Sequence, residues 1–310
     1  MSSRREFLQK ALIVGGLLSV NESFANTLVG KNELVKITIL HTNDVHSHIE
    51  TFPENHRKFP GQGGVSKRYS LIKKLRKENP NTLLLDSGDI FQGTPYFNMY
   101  GGELELKLMS KMGYDASTMG NHDFDNGMDG FLKVKHHANF PFICSNYDFS
   151  DTILKDKTIP YKIFYKDGIK IGVFGIGIEL EGLVDKKLYG NTIYQDPVGK
   201  TNEYAELLKK KHQCDLVICL SHLGYDYRVD KISDSVLATQ TKNVDLILGG
   251  HTHTFLKKAV EFKNSEGEKV LVNQVGWAGV NLGKVDFYFN RGNKKEVKVV
   301  KSSDDFLKIK

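Results

Sequence analysis

Three cysteines occur in 310 residues, at positions 144, 214 and 219. The number is odd and the spacing fits no zinc motif, which excludes a disulfide framework and a cysteine-rich structural zinc site. Each lies in an apolar run, "PFICSN" or "CDLVICL", so buried free thiols in strands are expected. No apolar run reaches the roughly twenty residues of a membrane-spanning helix. The seven prolines never gather with glycine and serine into a linker, and no repeat or low-complexity tract is present, so one domain is expected beyond the N-terminal leader. Charge of one sign is also scarce. The net value of +6 is spread over short clusters such as "KKLRK" and "LKKKH", which read as solvated helix faces. That excludes a basic footprint for a nucleic-acid polymer, while a mild positive field still favours small anions. The glycines of "GVFGIG" fall inside a hairpin strand and open no helix, so they do not form a dinucleotide fingerprint.

The first twenty-five residues read as a leader. Arg4-Arg5 precedes Phe7-Leu8, a ten-residue apolar stretch spans Ala11–Val20, and Ser23-Phe24-Ala25 has the small–x–small form of a cleavage site. The "SRR-x-F-L" run resembles the twin-arginine export signal. Cleavage after Ala25 is expected, giving an exported or periplasmic mature chain, residues 26–310. No cysteine follows the apolar run, so no lipid anchor is expected.

The rest of the chain alternates between strand and helix patterns. "LVKITIL", "TLLLD", "DASTMG", "PFICSN", "CDLVICLS", "VDLILGG", "EKVLVNQVG" and "GKVDFYFN" read as strands. "SKRYSLIKKLRKEN", "ELELKLMSKMG", "GFLKVKHHA", "GKTNEYAELLKKKH" and "SDSVLATQTK" read as helices, and "YKIFYKDGIKIGVFGIG" as a hairpin turning on Asp167-Gly168. This is an α/β chain with a mixed sheet or two stacked sheets.

Polar residues follow five of these strands in a consistent way. Asp44 and His46 follow the first, Asp89 the second, and Asn121-His122 the third. His222 follows "DLVICLS", and His251 and His253 follow "DLILGG" after two glycines, which are expected to let the backbone turn tightly. One such residue would be read as a cap or a turn. Five strand ends agreeing define a common rim, the edge at which α/β sheets bind ligands. Asp44, His46, Asp89, Asn121, His222, His251 and His253 are too many donors for one tetrahedral ion and suit two ions sharing a carboxylate. Imidazole, carboxylate and amide without thiolate point to Zn²⁺, Mn²⁺ or Fe. Two divalent ions against Asp44 and Asp89 leave the site about +2, or +1 with a bridging hydroxide. That vacancy suits a phosphate ester, and the metal pair an in-line displacement in which the hydroxide attacks phosphorus. His122 adjoins Asn121 and so points away from it. Asp125, three residues on, is placed either to orient that imidazole or to cap the following helix. His48 is a candidate lining residue, and His136-His137 belong to the surface.

In order, "DVH", "GDIFQGTP", "GNHDFDNG", "SHLG" and "GHTH" resemble the motifs of the calcineurin-like metallophosphoesterases. The longer forms, with "HTNDVHSH", resemble the catalytic domain of the 5′-nucleotidase branch. The resemblance spans about residues 36–255 and implies a four-layer α/β/β/α sandwich. It implies that Asp44, His46 and His253 hold one metal, that Asn121, His222 and His251 hold the other, and that Asp89 bridges them. It also implies that His122 and Asp125 act on the transferring phosphoryl or the leaving group. Relatives acting on nucleotides generally carry a second, substrate-binding domain, and none is expected within the residues up to Lys310. The readings that follow are a stand-alone phosphohydrolase, or a catalytic subunit served by a separate substrate-binding chain. Cyclic phosphodiesters, nucleotide sugars and sulfur esters stay open as substrates, and a non-catalytic metal-binding module is the reading from another class.

Overall fold

The computed structural model describes residues 34–290 and 298–309. The leader expected over residues 1–25 lies outside them. In chain order the strands are β1 (Leu34–Thr42), β2 (Thr82–Asp86), β3 (Ala116–Ser117), β4 (Tyr147–Asp148), β5 (Tyr161–Lys166), β6 (Ile169–Ile176) and β7 (Ile193–Tyr194). They continue with β8 (Leu216–Ser221), β9 (Leu246–Leu248), β10 (Val260–Lys263), β11 (Lys269–Asn273), β12 (Asn281–Asn290) and β13 (Lys298–Lys308). One sheet has the order β13-β12-β1-β2-β3 and the other β10-β11-β9-β8-β6-β5, while β4 and β7 form a small ribbon. Strands β1, β2 and β3 run parallel, as do β6, β8, β9 and β11, so each sheet presents a row of C-terminal strand ends.

Alternation along the strands builds the layers. Leu216, Ile218 and Leu220 of β8 join Ile37 and Ile39 of β1 and Leu83 and Leu85 of β2 in the core between the sheets. The intervening Val217 and Cys219 face outward, against Ala205, Leu208, Leu237 and Ala238. Those residues belong to the helical stretch Pro197–Lys211 and to the helix Asp234–Gln240. Leu40 and Leu84 face outward from the other sheet, against helices Val65–Glu78, Glu103–Met112 and Gly127–Lys135. Three apolar cores between four layers make the α/β/β/α sandwich that the resemblance implied.

Most expected elements form, and the departures have local causes. The hairpin turns on Asp167 (φ 47°) and Gly168 (φ 77°), the left-handed pair of a two-residue turn. "PFICSN" is not a strand: the N–H groups of Ile143, Cys144 and Ser145 donate to the carbonyls of Ser117, Ile159 and Gly175 respectively. Three different partners in three residues make this a crossing between the two sheets. Cys144 therefore lies in the crossing and Cys214 just ahead of β8, so only Cys219 is in a strand, although all three cysteines are buried free thiols as expected. A helix over Pro95–Tyr100 was not legible, because it is short and closes on Gly101 in the left-handed region (φ 59°). Strands β4, β7, β10 and β13 were not expected either.

The crossing makes a stability prediction. A Cβ on Gly175 would sit 2.0 Å from the carbonyl oxygen of Ile143, a backbone atom that no rotamer change relieves. Gly175→Ala is expected to cost about 1–3 kcal/mol and to lower the thermal unfolding midpoint by several degrees. An unchanged midpoint in calorimetry would show that the segment is not held against β6.

Candidate metal centre

The expected donors sit at the C-terminal ends of β1, β2 and β3 in one sheet and of β8 and β9 in the other, where the two rows of strand ends meet. Asp44, Asp89 and His222 are buried (0–1% exposed), and Asn121 and His46 nearly so (5–6%). Their ligand atoms form two clusters, Asp44–His46–His253 and Asp89–His222–His251, each with all atoms within 4.8 Å of one another. Asn121 joins the second through its Oδ1, 2.9 Å from Nδ1 of His251. The side chain of His253 is 41% exposed and marks the open side.

The clusters share a carboxylate edge. Oδ2 of Asp89 lies 3.0 Å from Nε2 of His222 and 3.8 Å from Nε2 of His46, so it stands between one imidazole of each cluster. Oδ1 of Asp44 lies 3.3 Å from Nε2 of His253 and 3.9 Å from Nε2 of both His46 and His222. Nε2 of His222 is buried without a hydrogen-bond partner despite that short approach. A buried orphan nitrogen aimed among carboxylates fits a metal ligand, since burial of an unsatisfied polar atom otherwise costs about 1–3 kcal/mol.

Electrostatics agree with a cation there. Burial holds His46 below its ordinary pKa and His251 down to about 4, which keeps both imidazoles neutral, the form that ligates metal. Burial opposes charge on His222 as well, but Asp89 and Asp44 outweigh it and lift this imidazole to about 10. Burial likewise opposes charge on Asp89, yet His222 and His46 hold its carboxyl well below the usual range. The two carboxylates thus demand a positive charge between them.

Outer partners fix the rings. His46 Nδ1 lies 3.2 Å from the carbonyl oxygen of Phe91, and His222 Nδ1 2.6 Å from that of Ser87, leaving Nε2 of each for the centre. His122 Nδ1 meets Oδ2 of Asp125 at 2.7 Å, and this bond raises the pKa of the imidazole. Asp125 therefore orients His122, the first of the two readings open in the sequence. The ring of His122 stands edge-on to His46 at 5.2 Å. His48 packs edge-on to Trp277 and tilted against Phe52, in an aromatic rim, while His136 is exposed at the end of its helix.

The backbone corrects one expectation. Gly249 and Gly250 do not adopt the left-handed conformation; His251 (φ 72°) and His253 (φ 52°) do, as do Asp44 (φ 49°), His46 (φ 49°) and Asp89 (φ 54°). Each such residue costs on the order of 1 kcal/mol, and strain of this kind persists only where the surroundings over-determine it. The glycines serve close approach: a Cβ on Gly250 would stand 2.7 Å from Nδ1 of His222, and one on Gly120 2.2 Å from Oδ1 of Asp89.

Three buried polar side chains hold these turns, and sequence reasoning missed all three. Asn43 donates to Asp44 Oδ2 and to the carbonyl of Gly276, and accepts from Val275 N–H. Gln274 donates to the carbonyl of Gly250 and accepts from Thr254 N–H and Thr252 Oγ1. Asp123 accepts from the loops after β2 and β3. Asn43 and Asp123 adjoin recognised donors inside the quoted motifs, a signal that could have marked them. Gln274 is 20 to 24 residues beyond its partners, in a segment with no motif.

A strained rim of imidazoles and carboxylates between two sheets holds two residue clusters able to bind metal, and comparison with known proteins gives the family. The calcineurin-like phosphoesterase profile matches residues 37–255, and the chain belongs to that family. It is similar to snake venom 5′-nucleotidase of Gloydius brevicauda, 34% identical over 290 residues, covering 86% of this chain and 47% of that protein. It is similar to 5′-nucleotidase of Rattus norvegicus, 31% identical, covering 81% of this chain and 46% of that one. Its fold superimposes on the crystal structure of a 5′-nucleotidase precursor from Thermus thermophilus with a TM-score of 0.79 at 28% identity, covering 88% of this chain and 54% of the other. The chain spans about half the length of these relatives. The family and the two residue clusters support divalent metal binding. Among the described residues no helix is long and apolar enough to cross a membrane.

Proposed function

We propose that this chain is an exported phosphoric ester hydrolase of the 5′-nucleotidase type that works with two divalent metals. The observation that carries this reading is Asp89 standing between the imidazoles of two ligand clusters. Asp44, His46 and His253 would hold one ion, and Asn121, His222 and His251 the other, with Asp89 shared. When bound, the ions supply Lewis-acid activation of water and neutralise phosphoryl charge. The chain's own contribution is His122. Asp125 occupies its Nδ1, so Nε2 is the nitrogen that can stabilise the phosphoryl group or give a proton to the leaving oxygen.

The rim favours a leaving alcohol that carries an aromatic base. Trp277 lies nearly parallel to the ring of His253 (13°, centroids 5.9 Å apart), and Phe59 stacks on Phe255, which is 39% exposed. These faces offer a nucleobase a stacking surface beside the metals. Export rests on the leader motif and on the venom source named for one relative.

The test is a phosphoester panel with metal analysis on the purified chain. Turnover of nucleoside monophosphates with bound divalent metal is expected. A metal-loaded protein that hydrolyses no phosphate ester would sink this reading in favour of a non-catalytic module. Strong AMP selectivity over p-nitrophenyl phosphate would remove any need for a separate substrate-binding chain. Phe255→Ala is expected to lower kcat/KM for AMP by about 5- to 150-fold, the roughly 1–3 kcal/mol of a base stack, and to leave glycerol phosphate unaffected. Equal losses on both substrates would take the base off this rim.

A further inference from the structure

Asp123 is 1% exposed and makes four hydrogen bonds, all of them accepted. Oδ2 takes the N–H of Asp89 at 2.9 Å and that of Gly120 at 2.8 Å. Oδ1 takes the N–H of Ile90 at 3.0 Å and, more loosely, that of Phe91 at 3.4 Å. One carboxylate therefore ties the loop after β2, which presents Asp89, to the loop after β3, which presents Asn121. Asp89 is left-handed, so the N–H groups of its turn are directed away from any ladder and need an acceptor. Gly120 is pressed against Oδ1 of Asp89 and the ring of His222, and the bond from its N–H holds that approach.

We propose that Asp123 is a positioning residue for metal binding: its carboxylate sets the separation of Asp89 and Asn121, and so the fit of the ion they would share with His222 and His251. This rests on the reading of Asp89 and Asn121 as ligands. The competing role is ordinary fold stability, and Asp123→Asn separates the two. The amide is isosteric but has one acceptor oxygen. Turned with its NH₂ in place of Oδ2, it loses the N–H groups of Asp89 and Gly120 and frees the loop after β3; turned the other way, it loses those of Ile90 and Phe91 and holds the loop after β2 by one bond instead of three, so either orientation loosens the tie between the loops.

The experiment titrates Mn²⁺ into metal-free wild-type and D123N protein by calorimetry, with metal content and thermal midpoint measured alongside. Apparent affinity per folded chain is expected to fall about 10- to 100-fold, the range for groups that orient metal ligands. At limiting metal, the bound content is expected to drop from two ions towards one. A lowered midpoint with unchanged affinity in the folded fraction would overturn the proposal and leave Asp123 a stability residue. If D123N does not fold, amide hydrogen exchange in the metal-free wild-type protein decides. Slow exchange at Asp89, Ile90 and Gly120 supports the clamp, and exchange at the rate of free loops overturns it. Wild-type protein that binds no Mn²⁺ would refute the ligand assignment, and the exchange measurement would still report on the clamp separately.

Discussion

Replacing His122 by alanine is expected to lower kcat on a nucleoside monophosphate by about 10²–10⁴-fold while bound metal stays at the wild-type level. Two features of the structure separate those effects. The side chain of His122 is 37% exposed at the mouth, and its ring nitrogen Nδ1 is taken by Asp125 rather than aimed at either cluster. Its backbone N–H, which does contact the centre by donating to Oδ1 of Asp89 at 2.8 Å, survives the substitution. KM is expected to change less than kcat if the imidazole acts on the transition state. Asp125→Asn should lower kcat less than H122A, since the amide still marks the ring's position but no longer favours the imidazolium. Steady-state kinetics with metal analysis of each variant test this. Unchanged hydrolysis in H122A would remove His122 from the chemistry, and lost metal would make it a ligand.

Asp89→Asn should act on both functions together. The carboxylate is 1% exposed and stands between His46 and His222, so its loss leaves two facing imidazoles and any shared cation without their common counter-charge. Breaking a buried charge set costs about 3–5 kcal/mol, or between about two and four orders of magnitude in metal affinity. Hydrolysis is expected to fall at least as far as in H122A, and metal content to fall with it. Chelation of the wild-type protein should reproduce the loss of activity, and added Mn²⁺ should restore it. It should also lower the thermal midpoint, because a ligand of the native state stabilises that state by mass action. A D89N protein with two bound ions and intact activity would mean that Asp89 does not bridge.

Donor identity was legible because strands end where their apolar runs end. "TLLLD" reaches Asp89 three residues past its last strand residue, and "DLVICLS" reaches His222 one residue past its own. That reading needs only the two-residue period of a strand and the rule that α/β sheets bind ligands at their C-terminal edge. The layering was legible for a similar reason: strands such as β8, apolar from Leu216 to Leu220, require cover on both faces. The crossing at 141–146 was not, because an apolar run reads alike whether its N–H groups share one neighbouring strand or go to three separate segments.

The amino-acid order alone determined which side chains are available at the rim, that thiolates are not among them, and that the chain must build buried sheets. The resemblance implied different metals for His251 and His253, two residues apart, but only the tertiary structure decided the left-handed turns that send them to different clusters. It also placed Asn43, Asp123 and Gln274 as the groups that hold the turns. The physical reason is range. Strand and helix follow from neighbours along the chain, whereas His46 and His253 meet across 207 positions and His251 meets Asn121 across 130. Contacts of that span, and the left-handed turns they stabilise, exist once both sheets have packed on their common core.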